Sequence, residues 1–230
     1  EPHLRRRGPA PLYRRILDRA AELSPQVPDR LRAELLGTLS QLWRIQGRNA
    51  EALDLGWEAV RLAESVGDPV LAATLTVTLG YSLRSPEGLE AVEAAQRAAL
   101  PVLEAAGRWA DAGRLLSSLA IAVGYGGRVK EEYKLHLQAL ALHKKVGNRR
   151  MQAAEAGNIA VLYALDGESR EAEHWLHEAL AGFRQVHDRT AETISLGNLG
   201  SLYIEMQRPE EAERAIRRAL DGVREMGLDS

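Results

Sequence analysis

The chain has 230 residues, 45% of them hydrophobic and 27% charged, with a formal net charge of -2. It is too apolar to stay disordered and long enough for one large or two small domains, and its slightly acidic balance gives nucleic acid no general attraction. The absence of cysteine excludes disulfides, cysteine-based zinc sites and thiol nucleophiles. No signal-peptide pattern and no apolar run of about eighteen residues occurs, so a cytoplasmic protein with no membrane association is expected.

In chain order, residues 10–24 (APLYRRILDRAAELS) have helical apolar spacing, and Pro25 and Pro28 interrupt before the next segment. From about residue 31 the chain repeats itself with a period of 40. Leu39, Leu79, Leu119, Ile159 and Leu199 are each followed by a small residue: Ser40, Gly80, Ala120, Ala160 and Gly200. Three positions further on stands a large one: Trp43, Leu83, Val123, Tyr163 and Tyr203. Ala59, Ala99, Ala139, Ala179 and Ala219 then close each copy.

Within a copy the spacing is helical, as in Leu35, Leu36, Leu39, Leu42 and Trp43. Breakers recur at two phases. Gly47, Gly127, Gly167 and the Ser85-Pro86-Glu87-Gly88 turn mark one; Gly67, Gly107, Gly147 and Gly227 mark the other, with His187 in its fifth slot. Asp68, Asn148 and Asp188 follow the second breaker, where a side chain can accept from free amides of the next helix, and Pro69 stands where a missing N–H costs nothing. Each copy therefore reads as helix, turn, helix, turn. Small residues let two helices approach and large ones fill the flanking holes, and such a pair buries its apolar face only by stacking on neighbours. The expected organisation is an N-terminal helix over residues 1–30, as a cap or half repeat, followed by five helix pairs over residues 31–230.

The order large-x-x-apolar-small-x-x-Tyr, then Gly, then Ala, then Ala-Leu, clearest at residues 153–188 and 193–227, resembles the tetratricopeptide repeat. The usual unit of that family is about 34 residues; here it is 40, and Glu64, Glu104, Lys144, Arg184 and Arg224 replace the proline near its end. Both departures resemble the long-repeat variety found in signalling adaptors and in regulatory segments of bacterial sensors. The resemblance implies an all-α fold, a right-handed α-solenoid of stacked antiparallel helix pairs, whose concave groove takes a protein or peptide partner.

Enzyme chemistry is not expected. There is no phosphate-binding loop, since GYGGR at 124–128 is a turn on the repeat phase, and no nucleophile elbow. His174 and His177, three apart beside Glu171 and Glu178, lack converging third and fourth ligands, so a solvated face is expected rather than a metal site. His136 and His143 read as packing or surface residues. The basic stretches HKKVGNRR (143–150) and Arg5-Arg6-Arg7 lack interleaved aromatics, so nucleic acid is not an expected partner. No cofactor is expected.

Counting the small residue as the eighth position, the resemblance implies that the second, fifth, sixth, ninth, twelfth and thirteenth positions face the groove. At the sixth stand Thr38, Thr78, Ser118, Asn158 and Asn198, all short and polar where Ala or Leu would favour helix. In the family an Asn there hydrogen-bonds the backbone of an extended segment, which carries over to Asn158 and Asn198. An amide can serve a peptide N–H and C=O together. Gln41, Tyr81, Ile121, Val161 and Ser201 hold the ninth position, and Arg44, Arg84 and Arg114 are placed to attract a carboxylate. The competing reading is that the polar row bonds within its own helix or to the next repeat, and that the arginines are solvated.

Two functions stay open. One is a scaffold binding a peptide or helix in the groove. The other is a regulatory segment of a larger signalling protein, a transcription activator or NTPase-coupled switch, which the start at Glu1 and the half repeat at residues 10–24 favour. A dimerisation array is disfavoured by the charge on residues 211–220.

Overall fold

The computed structural model describes Arg19 and residues 27–83 and 88–227. Among the described residues it contains ten helices: α1 (Asp29–Ile45), α2 (Asn49–Ser65), α3 (Pro69–Ser82), α4 (Leu89–Ala105), α5 (Trp109–Tyr125), α6 (Val129–Lys145), α7 (Arg149–Leu165), α8 (Ser169–Gln185), α9 (Arg189–Glu205) and α10 (Pro209–Glu225). The fold is all-α. Apart from Arg19, the segment at residues 10–24 lies outside the described residues, as does the Arg5-Arg6-Arg7 run.

Each helix begins 20 residues after the one before it, and the turns explain this regularity. Gly47, Gly67, Gly107, Gly127, Gly147, Gly167 and Gly227 all have φ between +67° and +79°. At the end of α2, Gly67 N–H donates to the Glu64 carbonyl (3.0 Å) and Asp68 N–H to the Ala63 carbonyl (3.1 Å), the paired bonds that close a helix through a left-handed residue. His187 (φ 55°) and Gln207 (φ 56°) do the same work without glycine. On the far side of the turn, Asp68, Asn148 and Asp188 accept from the amides of Leu71, Met151 and Ala191 at 2.9, 3.2 and 3.1 Å. The exception is α3, which has 14 residues where the other nine helices have 17. It stops at Ser82 with Leu83 extended, short of Pro86, which has no N–H for a longer helix.

The chain divides into two compact units, Glu1–Arg128 and Val129–Ser230. The division falls inside the third 40-residue period, so the first unit holds α1–α5 and the second α6–α10. In the first, Leu36, Val60, Leu75, Leu79, Leu83 and Val92 form the core with alanines from α1, α2, α3 and α5. In the second, Leu176, Leu180, Leu196, Leu199, Leu202 and Tyr203 form one core, and Ala153, Ala156, Ala179 and Phe183 a smaller one beside it. Each fully buried leucine is worth about 2 kcal/mol of transfer free energy, so helix packing rather than intrinsic propensity holds both units together.

Close approach between helices rests on small residues at defined points. A Cβ on Gly80 would lie 2.6 Å from the Ser118 carbonyl oxygen, and one on Gly200 2.6 Å from Ile216 Cγ1. Between α7 and α8 a Cβ on Gly182 would lie 2.7 Å from that of Ala153. No helix among the described residues is long and apolar enough to cross a membrane.

Candidate functional site

In the first unit, the register expected to face a ligand is carried by α1, α3 and α5. Thr38 is exposed, but its hydroxyl donates to the Glu34 carbonyl one turn earlier (3.0 Å). Thr78 is buried and donates to the Leu75 carbonyl (3.1 Å). Ser118 is fully buried and accepts from Gln96 Nε2 (2.8 Å), which also donates to the Thr76 carbonyl (3.0 Å). Thr78 and Ser118 therefore leave the candidate surface: the neighbouring helices cover them, and the polar row here bonds within the fold. The competing sequence reading describes this unit.

The same register brings Arg44, Tyr81 and Arg114 together. The Arg44 guanidinium lies 5.7 Å from the centre of the Tyr81 ring, and the Tyr81 hydroxyl donates to the Arg114 carbonyl (3.1 Å). Arg114 also stands 3.7 Å from Asp111. Tyr81, expected to face the groove, is thus half-buried and engaged within the fold. Gln41 is exposed on α1. Arg84 lies outside the described residues.

In the second unit α7 and α9 carry the register, and the surroundings change. Asn158 is half-buried and Asn198 exposed, and neither makes a side-chain hydrogen bond among the described residues. Around them Val161 is 43% exposed, Ile194 61%, Ile204 61% and Leu165 77%. These four are the second, ninth, twelfth and thirteenth positions of the repeat, so they share one face with the two asparagines. The sequence reading had named Val161; Leu165, Ile194 and Ile204 were there to be found in the same register, since large aliphatics at groove positions have no core to fill. Ser201 completes the row and is exposed.

The glycines preceding the two asparagines are open as well. A Cβ on Gly197 would meet nothing within 4 Å, and one on Gly157 only the Ala179 Cβ at 3.9 Å. Gly37, at the equivalent place on α1, faces the Leu75 side chain of α3, which fills that space. Glycine in mid-helix costs about 1 kcal/mol relative to alanine, and at Gly157 and Gly197 no close packing explains it.

This face is an open surface rather than a closed cavity. Two recesses of the second unit lie between its second helices, one over α7 lined by Lys144, Gln152, Trp175 and Gln185, another over α9 lined by His177, Arg184, Arg214 and Arg218. They are separate from the asparagine face.

Two clusters of titratable groups in the second unit serve packing. His136 is buried with its Nδ1 2.7 Å from Glu155 Oε2, and Glu155 is itself fully buried on α7, with His143 Nε2 4.0 Å from its other oxygen. The sequence reading took the histidines as packing or surface residues; they are core residues, and it missed the buried carboxylate beside them. Partial burial pushes the Glu132 carboxyl up. Tyr203 donates to Glu173 Oε1 (2.9 Å), and Arg208 donates to Glu173 Oε2 (2.7 Å). Burial and Glu173 push the Tyr203 hydroxyl up to about 12, while Arg208 holds the Glu173 carboxyl below its usual range. His177 stands 3.3 Å from that hydroxyl, and no group of three His, Asp or Glu side chains suited to a metal occurs among the described residues.

Comparison with known proteins reports on the repeat itself. Tetratricopeptide-repeat family models match residues 149–225 and residues 32–66. No curated protein matches the chain. Among solved structures, BtubC (BKLC) from P. vanneervenii superposes with a TM-score of 0.72 at 19% identity, over 94% of this chain and 89% of that one. A Rap protein complexed with competence and sporulation factor gives 0.80 at 15% identity, over 93% of this chain and 59% of that one. The Rap conjugation gene regulator of plasmid pLS20, in complex with a Phr peptide, gives 0.69 at 14% identity, over 82% of this chain and 52% of that one. The chain thus spans somewhat over half the length of the two Rap proteins, with which it shares a fold.

Proposed function

Because the chain is built of tetratricopeptide repeats, we propose that it is a non-catalytic binding module that holds an extended peptide segment of a partner against α7 and α9. The observation that carries this reading is the pair Asn158 and Asn198, which stand in one register with amide groups unused among the described residues and are flanked by exposed aliphatic side chains. Each amide offers a carbonyl acceptor and two donors, so one side chain can bond both groups of a peptide unit. A hydrogen bond of this kind nets about 1 kcal/mol, whereas micromolar affinity needs about 8 kcal/mol. Val161, Leu165, Ile194 and Ile204 supply the apolar contact that makes up the difference. Gln41, Arg44 and Arg114 stand in the same register on the first unit, where the two guanidinium groups suit an acidic segment.

A second reading makes the module the ligand-sensing part of a larger signalling protein. It is supported by the shared fold with the Rap gene regulator, which is in complex with a peptide and of whose length this chain spans 52%.

The test is a selection of displayed random linear peptides on the protein, followed by affinity measurement on the Asn158→Ala, Asn198→Ala double variant. Affinity roughly tenfold weaker, at unchanged helicity and melting temperature, is the expected result. Peptides that bind both proteins equally place the site elsewhere, and a selection that enriches no peptide ends the peptide reading.

A further inference from the structure

Resting on that reading, we propose that the segment bound across α7 and α9 is electrically neutral and aliphatic, and that its backbone comes down onto Gly157 and Gly197.

The charge content of the face carries the first part. Its register consists of Ala154, Gly157, Asn158, Val161, Ala164 and Leu165 on α7, and of Ile194, Gly197, Asn198, Ser201 and Ile204 on α9. None of these is charged. The register meets a charge only at Glu205, at the C-terminal end of α9. Nearby at the other end, Arg150 is already paired with Asp188 at 2.7 Å. A Lys, Arg, Asp or Glu in the middle of the bound segment would lose water against aliphatic side chains and gain no opposite charge, which is strongly unfavourable. The equivalent register of the first unit contains Arg44 and Arg114, so neutrality is a property of this face and not of the repeat.

The glycines carry the second part. Gly200, Gly182 and Gly222 each have a neighbour against which a Cβ would press, so packing explains them. Gly157 and Gly197 do not, and they directly precede the two asparagines. An absent Cβ beside an unused amide group leaves room for a backbone to reach that amide. Glycine serves this purpose wherever a chain must be approached closely. A bulky side chain pointing at the helix would hold the partner away, so the partner residue opposite each glycine is small or turned outward.

The experiment separates this inference from the reading beneath it. Peptides enriched by display are synthesised and titrated against the whole protein at about 0.05 M and about 0.5 M salt. The same titration is run on Gly157→Ala and Gly197→Ala. The expected peptides have an uncharged aliphatic core and an affinity that moves less than about twofold over that salt range. Each alanine variant is expected to melt at a higher temperature, because alanine favours helix, and yet to bind at least about tenfold more weakly. This opposite movement of stability and affinity is not produced by a structural glycine, whose replacement lowers both. Enriched peptides with a charged core, or with strong salt dependence, overturn the neutral segment while leaving a peptide site in place. Unchanged affinity in both alanine variants overturns the backbone approach. Concentration-dependent dimerisation in sedimentation, abolished by Ile194→Glu, makes a second copy the occupant and overturns the proposal. If no peptide is enriched, the reading and this inference fall together.

Discussion

Ser118 and Asn158 occupy the same place in successive periods, one in each unit, and meet opposite surroundings. Ser118 is fully buried and takes a hydrogen bond from Gln96, while Asn158 is half-buried with its amide unused among the described residues. One place earlier the contrast recurs between Gly37, whose space is filled by Leu75, and Gly197, which has nothing within 4 Å. In the first unit the polar row is consumed by bonds within the fold, with Thr78 and Ser118 covered by neighbouring helices; in the second the row stays open and is framed by aliphatics. A repeat therefore specifies a register, and the neighbouring helices decide whether that register is core or surface.

The largest expected effects test the internal polar groups of the two units. Glu155→Ala strips the buried partner from His136 and is expected to cost about 3 kcal/mol, read as a lower urea midpoint for the second unit. Gly80→Ala pushes a methyl group against the Ser118 carbonyl oxygen, where backbone cannot give way, and is expected to cost about 2 kcal/mol by the same measurement. Ser118→Ala removes one of the two acceptors of Gln96 Nε2 and is expected to cost about 1 kcal/mol, while Asn158→Ala leaves the urea midpoint nearly unchanged. Equal losses for Ser118→Ala and Asn158→Ala would erase the contrast between the units.

The smallest effect is electrostatic and depends on pH. Arg208 holds the Glu173 carboxyl below its usual range. A depressed carboxyl contributes stability above the ordinary carboxylate range, and that contribution is lost as pH falls through the depressed value. Between about pH 6 and about pH 3 the melting temperature of the wild type should therefore fall further than that of Arg208→Gln. Parallel curves would mean that solvent screens the pair at this half-exposed position.

Much of the architecture was legible because it is local. The turn glycines, the caps Asp68, Asn148 and Asp188, and the helical spacing act within a few residues of themselves, so the chain states them directly. His187 could be placed in a glycine slot by phase alone. The candidate site was legible only in part. The register named thirteen residues, but exposure is set by long-range packing: nothing adjacent to Thr78 or Ser118 in the chain announces that α3, α4 and α5 close over them. Glu155 was invisible for the same reason, since a glutamate in mid-helix normally faces water, and its histidine partner stands 19 residues away. The boundary at Arg128 was hidden because the repeat phase runs through it unchanged.

The regular step from one helix start to the next, 20 residues throughout, also governs which changes of length the chain can accept. A helix turns by about 100° per residue, so one residue added within α9 between Asn198 and Ile204 would swing Ile204 away from the asparagine it now accompanies. An added residue in the three-residue turn would instead be absorbed before the next cap. Gain or loss of a whole 40-residue block returns every side chain to its own face. Such chains are expected to vary among relatives by whole repeats and at their turns, and to tolerate almost no single-residue insertion or deletion inside a helix.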